Sequence, residues 1–476
     1  MKLQSLTALA LVLASPPLVA STQQFDVVIL NGRVLDPESG LDGVRNVGIR
    51  GDRIVAITAD RISGRATIDA RGLVVAPGFI DLHRHAHGDN SYRYQVLDGV
   101  TSALELEVGT ADVDAWYRER APGRLLNYGV AVGHIPVRMQ LMGDSGVFLP
   151  SGPGGHKQAT SEEVIELVRR IELGLSQGAA AVGMGLAYTP AASAMEALSV
   201  FRAAARHRAS VPIHLRGGMS SLIEAMGDAA ISGAPLHVVH VNSTGGRNTS
   251  YFLDAIREAR SHGIDVTTEA YPYTAGASRI ESALYDGWEQ WPDERFQNFQ
   301  WVVTGERLTR ESFGKYRAEG GAVISHSNTE EMVSLAIADS LTMIASDGGR
   351  NLQDQPTHPR AAGTYARILG RYVREQNRLD LMTAIRKMTL MPARRLETRL
   401  PEMRDRGRIR VGALADIVMF DAAAVIDRAT YENAALASEG IRYVLVNGTP
   451  VVRDGAVVDG VSPGRPLRAA VATSSR

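Results

Sequence analysis

Pro77-Gly78-Phe79-Ile80-Asp81-Leu82-His83-Arg84-His85 is an apolar strand that runs directly into two histidines two residues apart. On a strand, residues i and i+2 point to the same side, so His83 and His85 can converge on one ion. Neutral imidazole is the commonest metal ligand of the zinc type. A lone His-x-His is a weak signal; one that closes an apolar strand after Pro-Gly is a strong one.

Working outward, the same phrase recurs. Short apolar runs lie at 78–82, 101–108, 126–132, 179–185, 211–215, 236–241, 265–270 and 341–345, with helical stretches between them. Residues 161–176 (SEEVIELVRRIELGLS) have helical apolar spacing, and Thr160 with Glu163 fits a capping box. Strand–helix alternation repeated eight times predicts an α/β fold, a parallel (β/α)8 TIM-like barrel. An open doubly wound sheet is the alternative that strand count alone leaves standing.

Barrel enzymes build their sites at the C-terminal ends of the strands. His214 closes the fifth run, His240 follows the sixth and Asp347 follows the eighth. With His83 and His85 they form a candidate metal set. His237 is the weaker candidate, because it leaves the other face of its strand.

Both ends of the chain read differently. Asp26–Leu30 with the turn dipeptide Asn31-Gly32, and Ala415–Asp421, Tyr443–Val446 and Asn447-Gly448, are short-strand patterns. The simplest arrangement is one small β-sandwich built from residues 21–76 and 408–465. The barrel then takes 77–407, with a tryptophan-rich insertion near 279–320 as a candidate lid. At the start, Lys2, the apolar run Leu6–Leu13 and the small residue Ala20 read as a signal peptide over residues 1–20. That run is too short to span a bilayer. Export to the periplasm or medium is therefore expected.

Hydrophobic residues make up 45% and charged residues 22%, an ordinary globular balance. A net charge of -1 calls for neither nucleic acid nor an acidic membrane as partner. The absence of cysteine excludes thiolate nucleophiles, zinc–cysteine sites and disulfides.

The motif Gly78-Phe79-Ile80-Asp81-x-His83-x-His85, strand-end His214 and His240, and Ser346-Asp347-Gly348 together resemble the amidohydrolase superfamily. Residues 178–190 (GAAAVGMGLAYTP), 271–276 (YPYTAG) and His358-Pro359-Arg360 resemble its D-aminoacylase branch most closely. The resemblance implies the barrel, the terminal β-sandwich, one or two divalent metals (zinc the usual one) and a small-molecule amide substrate. Two departures stand out. Many members bridge two metals through a carboxylated lysine on strand four, and the D-aminoacylases use a cysteine after strand two. This chain has no lysine in 179–185 and no cysteine anywhere, but it carries Glu105 and Glu107 on one face of strand two. Glu107 is expected to bridge, with Glu105 in reserve; the alternative is that these glutamates pair with Arg84 or Arg93. The branch also places a substrate-carboxylate lysine two residues after the strand-six histidine, where this chain has Asn242.

In the expected mechanism Asp347 takes a proton from the attacking water and delivers it to the leaving amine. Tyr188 and His134 are candidates to stabilise the oxyanion. Arg216, Arg247 and Arg279, following strands five to seven, are candidates for a substrate carboxylate. Tyr271 and Ser278 complete the expected substrate contacts. The preferred reading is hydrolysis of a linear amide, either an N-acyl amino acid, D- included, or an unusual dipeptide. A cyclic-amide hydrolase, disfavoured by the missing lysine, and a non-catalytic binding protein are the rivals.

Overall fold

The computed structural model describes residues 25–471, so the signal-peptide reading of 1–20 lies outside the described residues. All eight expected barrel strands form. They are β1 (Phe79–Asp81), β2 (Val100–Thr110), β3 (Asn127–Gly133), β4 (Val182–Gly185), β5 (Val211–His214), β6 (Leu236–Val238), β7 (Val266–Ala270) and β8 (Thr342–Ile344). Each pairs in parallel with the next. The ring closes just above β1 and β8: Asp347 N donates to His83 O (2.8 Å) and His85 N to Gly348 O (3.0 Å). The chain is therefore a closed barrel and not an open sheet, and the closing bonds lie among the candidate metal ligands.

Helices fill the connections because their apolar stripes match the outside of the strands. In the helix Ser161–Ser176 the buried residues are Leu167, Ile171, Gly174 and Leu175, one face at helical spacing. Its capping box is present, with Glu163 N donating to Thr160 Oγ1 at 3.2 Å and Thr160 N to Glu163 Oε2 at 2.9 Å. Among the described residues no helix is long and apolar enough to cross a membrane.

Strands from both ends of the chain join, as expected, in one small β domain, a hydrogen-bonded nine-stranded sheet. Its seam is the antiparallel pairing of Val74–Pro77 with Ile417–Phe420. The sheet closes on its own core, with Ile29, Val47, Ile49, Ile68, Ile417 and Leu445 packed together. A buried polar network ties it to β3: Asn127 Nδ2 donates to Asp416 Oδ2 (3.1 Å), Asn447 Nδ2 to Asn127 Oδ1 (2.8 Å), and Arg406 pairs with Asp416.

The insertion after β7 is wider than its expected bounds. Gly276–Arg279, Phe299–Trp301 and Ala322–Ser325 form a three-stranded antiparallel sheet. Tyr285, Phe296, Phe299, Phe313 and Val323 give it a core of its own. Its first strand faces the mouth of the barrel.

Candidate metal centre

Six side chains from five strand ends converge above the barrel. His83 Nε2, His85 Nε2, Glu107 Oε2 and Asp347 Oδ1 form one group; Glu107 Oε1, His214 Nδ1 and His240 Nε2 form another. Within each group the potential ligand atoms lie within 4.8 Å of one another. Glu107 belongs to both. Its Oε2 is 2.9 Å from His83 Nε2 and 3.1 Å from His85 Nε2, while Oε1 is 2.8 Å from His214 Nδ1. The sequence places it there because β2 is long, eleven residues, and carries its inward side chains past the ends of its neighbours.

Glu105 takes a different part. Its Oε2 lies 2.7 Å from His85 Nδ1, and its Oε1 accepts from Val108 N (3.1 Å) and Gly109 N (3.3 Å). It braces the irregularity where β2 breaks register with β3 and orients His85 from behind. Neither glutamate pairs with Arg84 or Arg93, which bond to Ala361 O and to Asp459.

Two of the six residues hold unusual backbone. His240 has φ +35° and Asp347 φ +52°, the left-handed region that costs a non-glycine residue about 1 kcal/mol or more. At both, the chain turns sharply at a strand end and aims the side chain inward. This is how His240, two residues beyond β6, reaches the centre, while His237 within β6 points elsewhere.

The electrostatics favour a cation. Burial alone would raise the Glu107 carboxyl, but His83, His214 and His240 hold it well below the usual carboxylate range. Asp347 is likewise held low against burial, chiefly by Arg360 and His83. Burial lowers His83 and His85, yet the surrounding carboxylates carry both well above an ordinary histidine. Burial and neighbouring His214 push His240 down, which keeps it neutral as a ligand must be.

Tyr188 packs its ring on His214, with centroids 4.7 Å apart, and Ser278 Oγ lies 3.5 Å from its hydroxyl. Burial and the Glu107 charge raise its phenol well above its ordinary value, so it stays a donor. Tyr271 is buried beside His240, and its hydroxyl accepts from Asn328 Nδ2 at 3.3 Å.

Three expectations need correction. His134 is fully buried, with Nε2 2.8 Å from Glu196, which also pairs with buried Arg138; it belongs to a structural ion-pair network and is not placed as an oxyanion donor. Arg216 is tied to Glu224 and to Pro190 O and Ala192 O. Arg279 pairs with Glu281. Arg247 is exposed and forms no hydrogen bond or ion pair among the described residues. The arginine at the centre is instead Arg360, which is 3% exposed, with Nη1 2.9 Å from Asp347 Oδ2 and its guanidinium over the Tyr271 ring at 4.6 Å. Its Nε has no hydrogen-bond partner, and its Nη1 is not aligned for one. Asn242 is buried, with Nδ2 donating to Tyr271 O (3.2 Å) and Oδ1 unpartnered.

A parallel eight-stranded barrel with histidines and carboxylates gathered over its C-terminal end is the architecture of a metal-dependent hydrolase. The sequence profile of the Amidohydrolase family matches residues 74–451, and the chain belongs to that family. Within it the chain falls in the D-aminoacylase branch. It is 31% identical to an N-acyl-D-glutamate deacylase of Alcaligenes xylosoxydans xylosoxydans, over 90% of this chain and 94% of the relative. It is 28% identical to a D-aminoacylase of the same organism, over 94% and 98%. Among solved structures it is similar to N-acyl-D-glutamate deacylase from Bordetella bronchiseptica, complexed with zinc and a phosphonate inhibitor that mimics the reaction's tetrahedral intermediate. That likeness has a TM-score of 0.79 and 26% identity, and covers 94% of this chain and all of the other.

Proposed function

We propose that this amidohydrolase is a zinc-dependent deacylase of N-acyl-D-amino acids, in which Glu107 would serve both groups of metal-holding residues. The observation that carries the reading is the sharing of Glu107 between two histidine groups, with Arg360 and Tyr188 facing the same space. The donor set fits the metal, since imidazole and carboxylate without thiolate suit zinc. His83, His85, Glu107 and Asp347 would hold one ion, and Glu107, His214 and His240 the other. A bound divalent ion supplies Lewis acidity, polarising the amide carbonyl and acidifying a water.

The chain's own groups do the rest. Asp347, ionised and aimed at the first histidine pair, accepts the water proton. The water oxygen bonds to the amide carbon, the C–N bond breaks, and the same carboxyl returns that proton to the departing amine. The Tyr188 O–H donates to the carbonyl oxygen as negative charge gathers there. Arg360 holds the substrate's carboxylate: it is buried, stacked on Tyr271 and has donors to spare. Its position also relieves the absence of a lysine at Asn242. The inner strand of the insertion brings Ser278 to Tyr188 at the edge of the site. The D-configuration rests on the activities of the relatives.

The test is a panel of N-acetyl- and N-formyl-amino acids of both configurations, scored by liberated primary amine. The reading expects hydrolysis of D-substrates in excess of L-substrates. Zinc-loaded protein that releases no amine from either series would overturn it. On the pattern of Lys2, Leu6–Leu13 and Ala20 we also propose export. N-terminal sequencing of protein from the producing cell should find the chain starting near residue 21, and an intact Met1 would contradict it.

A further inference from the structure

Glu269 sits inside the barrel on β7, almost wholly buried, and no step above uses it. Its Oε1 is 2.5 Å from His83 Nδ1 and its Oε2 is 3.0 Å from His237 Nε2. His237 Nδ1 in turn lies 2.8 Å from Thr267 Oγ1. Strands β1, β6 and β7 each contribute: His237 is the register partner of Thr267, and Thr267 and Glu269 share one face of β7.

The hydrogens can be assigned in one consistent way. An ionised carboxylate only accepts, so the nitrogens facing it must both carry hydrogen. His83 therefore donates through Nδ1–H; its Nε2, 2.9 Å from the Glu107 carboxylate, presents a lone pair there only when it faces the ion that Glu107 and His85 would share. His237 donates through Nε2–H, which leaves Nδ1 to accept the Thr267 O–H. Every polar atom of the chain is used; His83, His237 and Glu269 are buried and Thr267 is half-buried.

We infer that Glu269 is a positioning residue that locks His83 in the tautomer that ligates through Nε2, and that His237 and Thr267 hold Glu269 in place. The inference rests on the metal site proposed above. A carboxylate behind a ligating imidazole fixes the ring and raises its basicity, and losing such a partner typically weakens metal binding about 10- to 100-fold. His237, the strand-six histidine that turns away from the centre, acts through this relay. Glutamine at 269 presents an NH2 to one of the two rings. Where it faces His83, that ring must either move its hydrogen to Nε2, losing the ligand lone pair, or lose the contact; where it faces His237, His83 keeps only a neutral amide oxygen in place of the carboxylate that raised its basicity.

The experiment is zinc affinity by chelator competition for the wild-type protein and Glu269→Gln, with thermal unfolding of both apo proteins alongside. The expected result is zinc binding about 10- to 100-fold weaker in the variant. A folded Glu269→Gln protein with wild-type zinc affinity, whatever its unfolding temperature, overturns the inference and leaves the metal site standing. Wild-type protein that takes up no zinc overturns both. If the variant does not fold, 15N spectra of histidine-labelled, zinc-loaded wild type decide: His83 protonated at Nδ1 supports the relay, and His83 protonated at Nε2 refutes it.

Discussion

Replacing Arg360 with methionine keeps the bulk of the side chain and removes its charge. The guanidinium lies 2.9 Å from Asp347 Oδ2 and is 3% exposed, so it acts where water screens little. At an effective dielectric of 20, that separation corresponds to about 6 kcal/mol of Coulomb attraction, an upper bound before desolvation. Truncating one partner of a buried charge pair typically costs about 2–5 kcal/mol. For a substrate carboxylate held by Arg360, this becomes a loss of about 30- to 4,000-fold in kcat/KM, at about 1.4 kcal/mol per decade. Because Arg360 also faces Asp347, kcat falls for every substrate, and the total loss is ambiguous. The decisive readout is a ratio. Each N-acyl-D-amino acid is assayed beside its carboxamide, which lacks the anion. Wild type should prefer the acid strongly, and Arg360→Met should bring the preference close to unity. An acid-to-amide preference unchanged in the variant refutes the assignment, even if overall activity drops.

Three further outcomes are expected. Tyr188→Phe keeps the ring on His214 and removes the donor, so kcat should fall about 10²- to 10³-fold with KM nearly unchanged in steady-state kinetics. Glu196→Leu strands buried Arg138, so it should destabilise by about 3–5 kcal/mol in denaturant titration, while His134→Gln should leave the kcat of the folded enzyme near wild type. His326, lowered to about 4 by burial and the Arg307 charge, stays neutral in the folded insertion. The unfolded chain binds that proton from about pH 6.5 downward, so stability should fall as pH drops from there toward 4; His326→Gln should flatten the slope of unfolding free energy against pH over that window.

The barrel was legible because its signal is local and repeated: each apolar run is a strand, and five of the eight end at a candidate ligand. The terminal sheet was partly legible. Asn447-Gly448 makes the expected hairpin turn, with both residues at positive φ. Asn31-Gly32 does not. Only Asn31 is left-handed, and the dipeptide forms a register-shifting bulge inside one long strand, Phe25–Asp36. The same two letters gave different structures because the partner strand decides.

The centre divides along the same line. His83, His85, His214, His240 and Asp347 could be brought together from strand-end position; Glu107 joined them through the resemblance, as the carboxylate standing where the branch carries a cysteine. Which arginine joins them could not. Arg216 and Arg279 follow strands as Arg360 does, yet Glu224 and Glu281 occupy them. His134 was misplaced because its partner, Glu196, lies 62 residues further along. Glu269 carries no sequence signal beyond being an acid within an apolar strand. The left-handed backbone at His240 and Asp347 also has no local cause in the sequence.

The central claim is that Glu107 joins two metal ions. Metal content of purified, undialysed protein, wild type beside Glu107→Ala, tests it most directly. The account predicts close to two zinc equivalents per wild-type chain and one or fewer in the variant. One equivalent in both proteins would contradict the bridge and leave a mononuclear hydrolase. No metal in wild type, with none taken up on reconstitution, would contradict the metal centre itself.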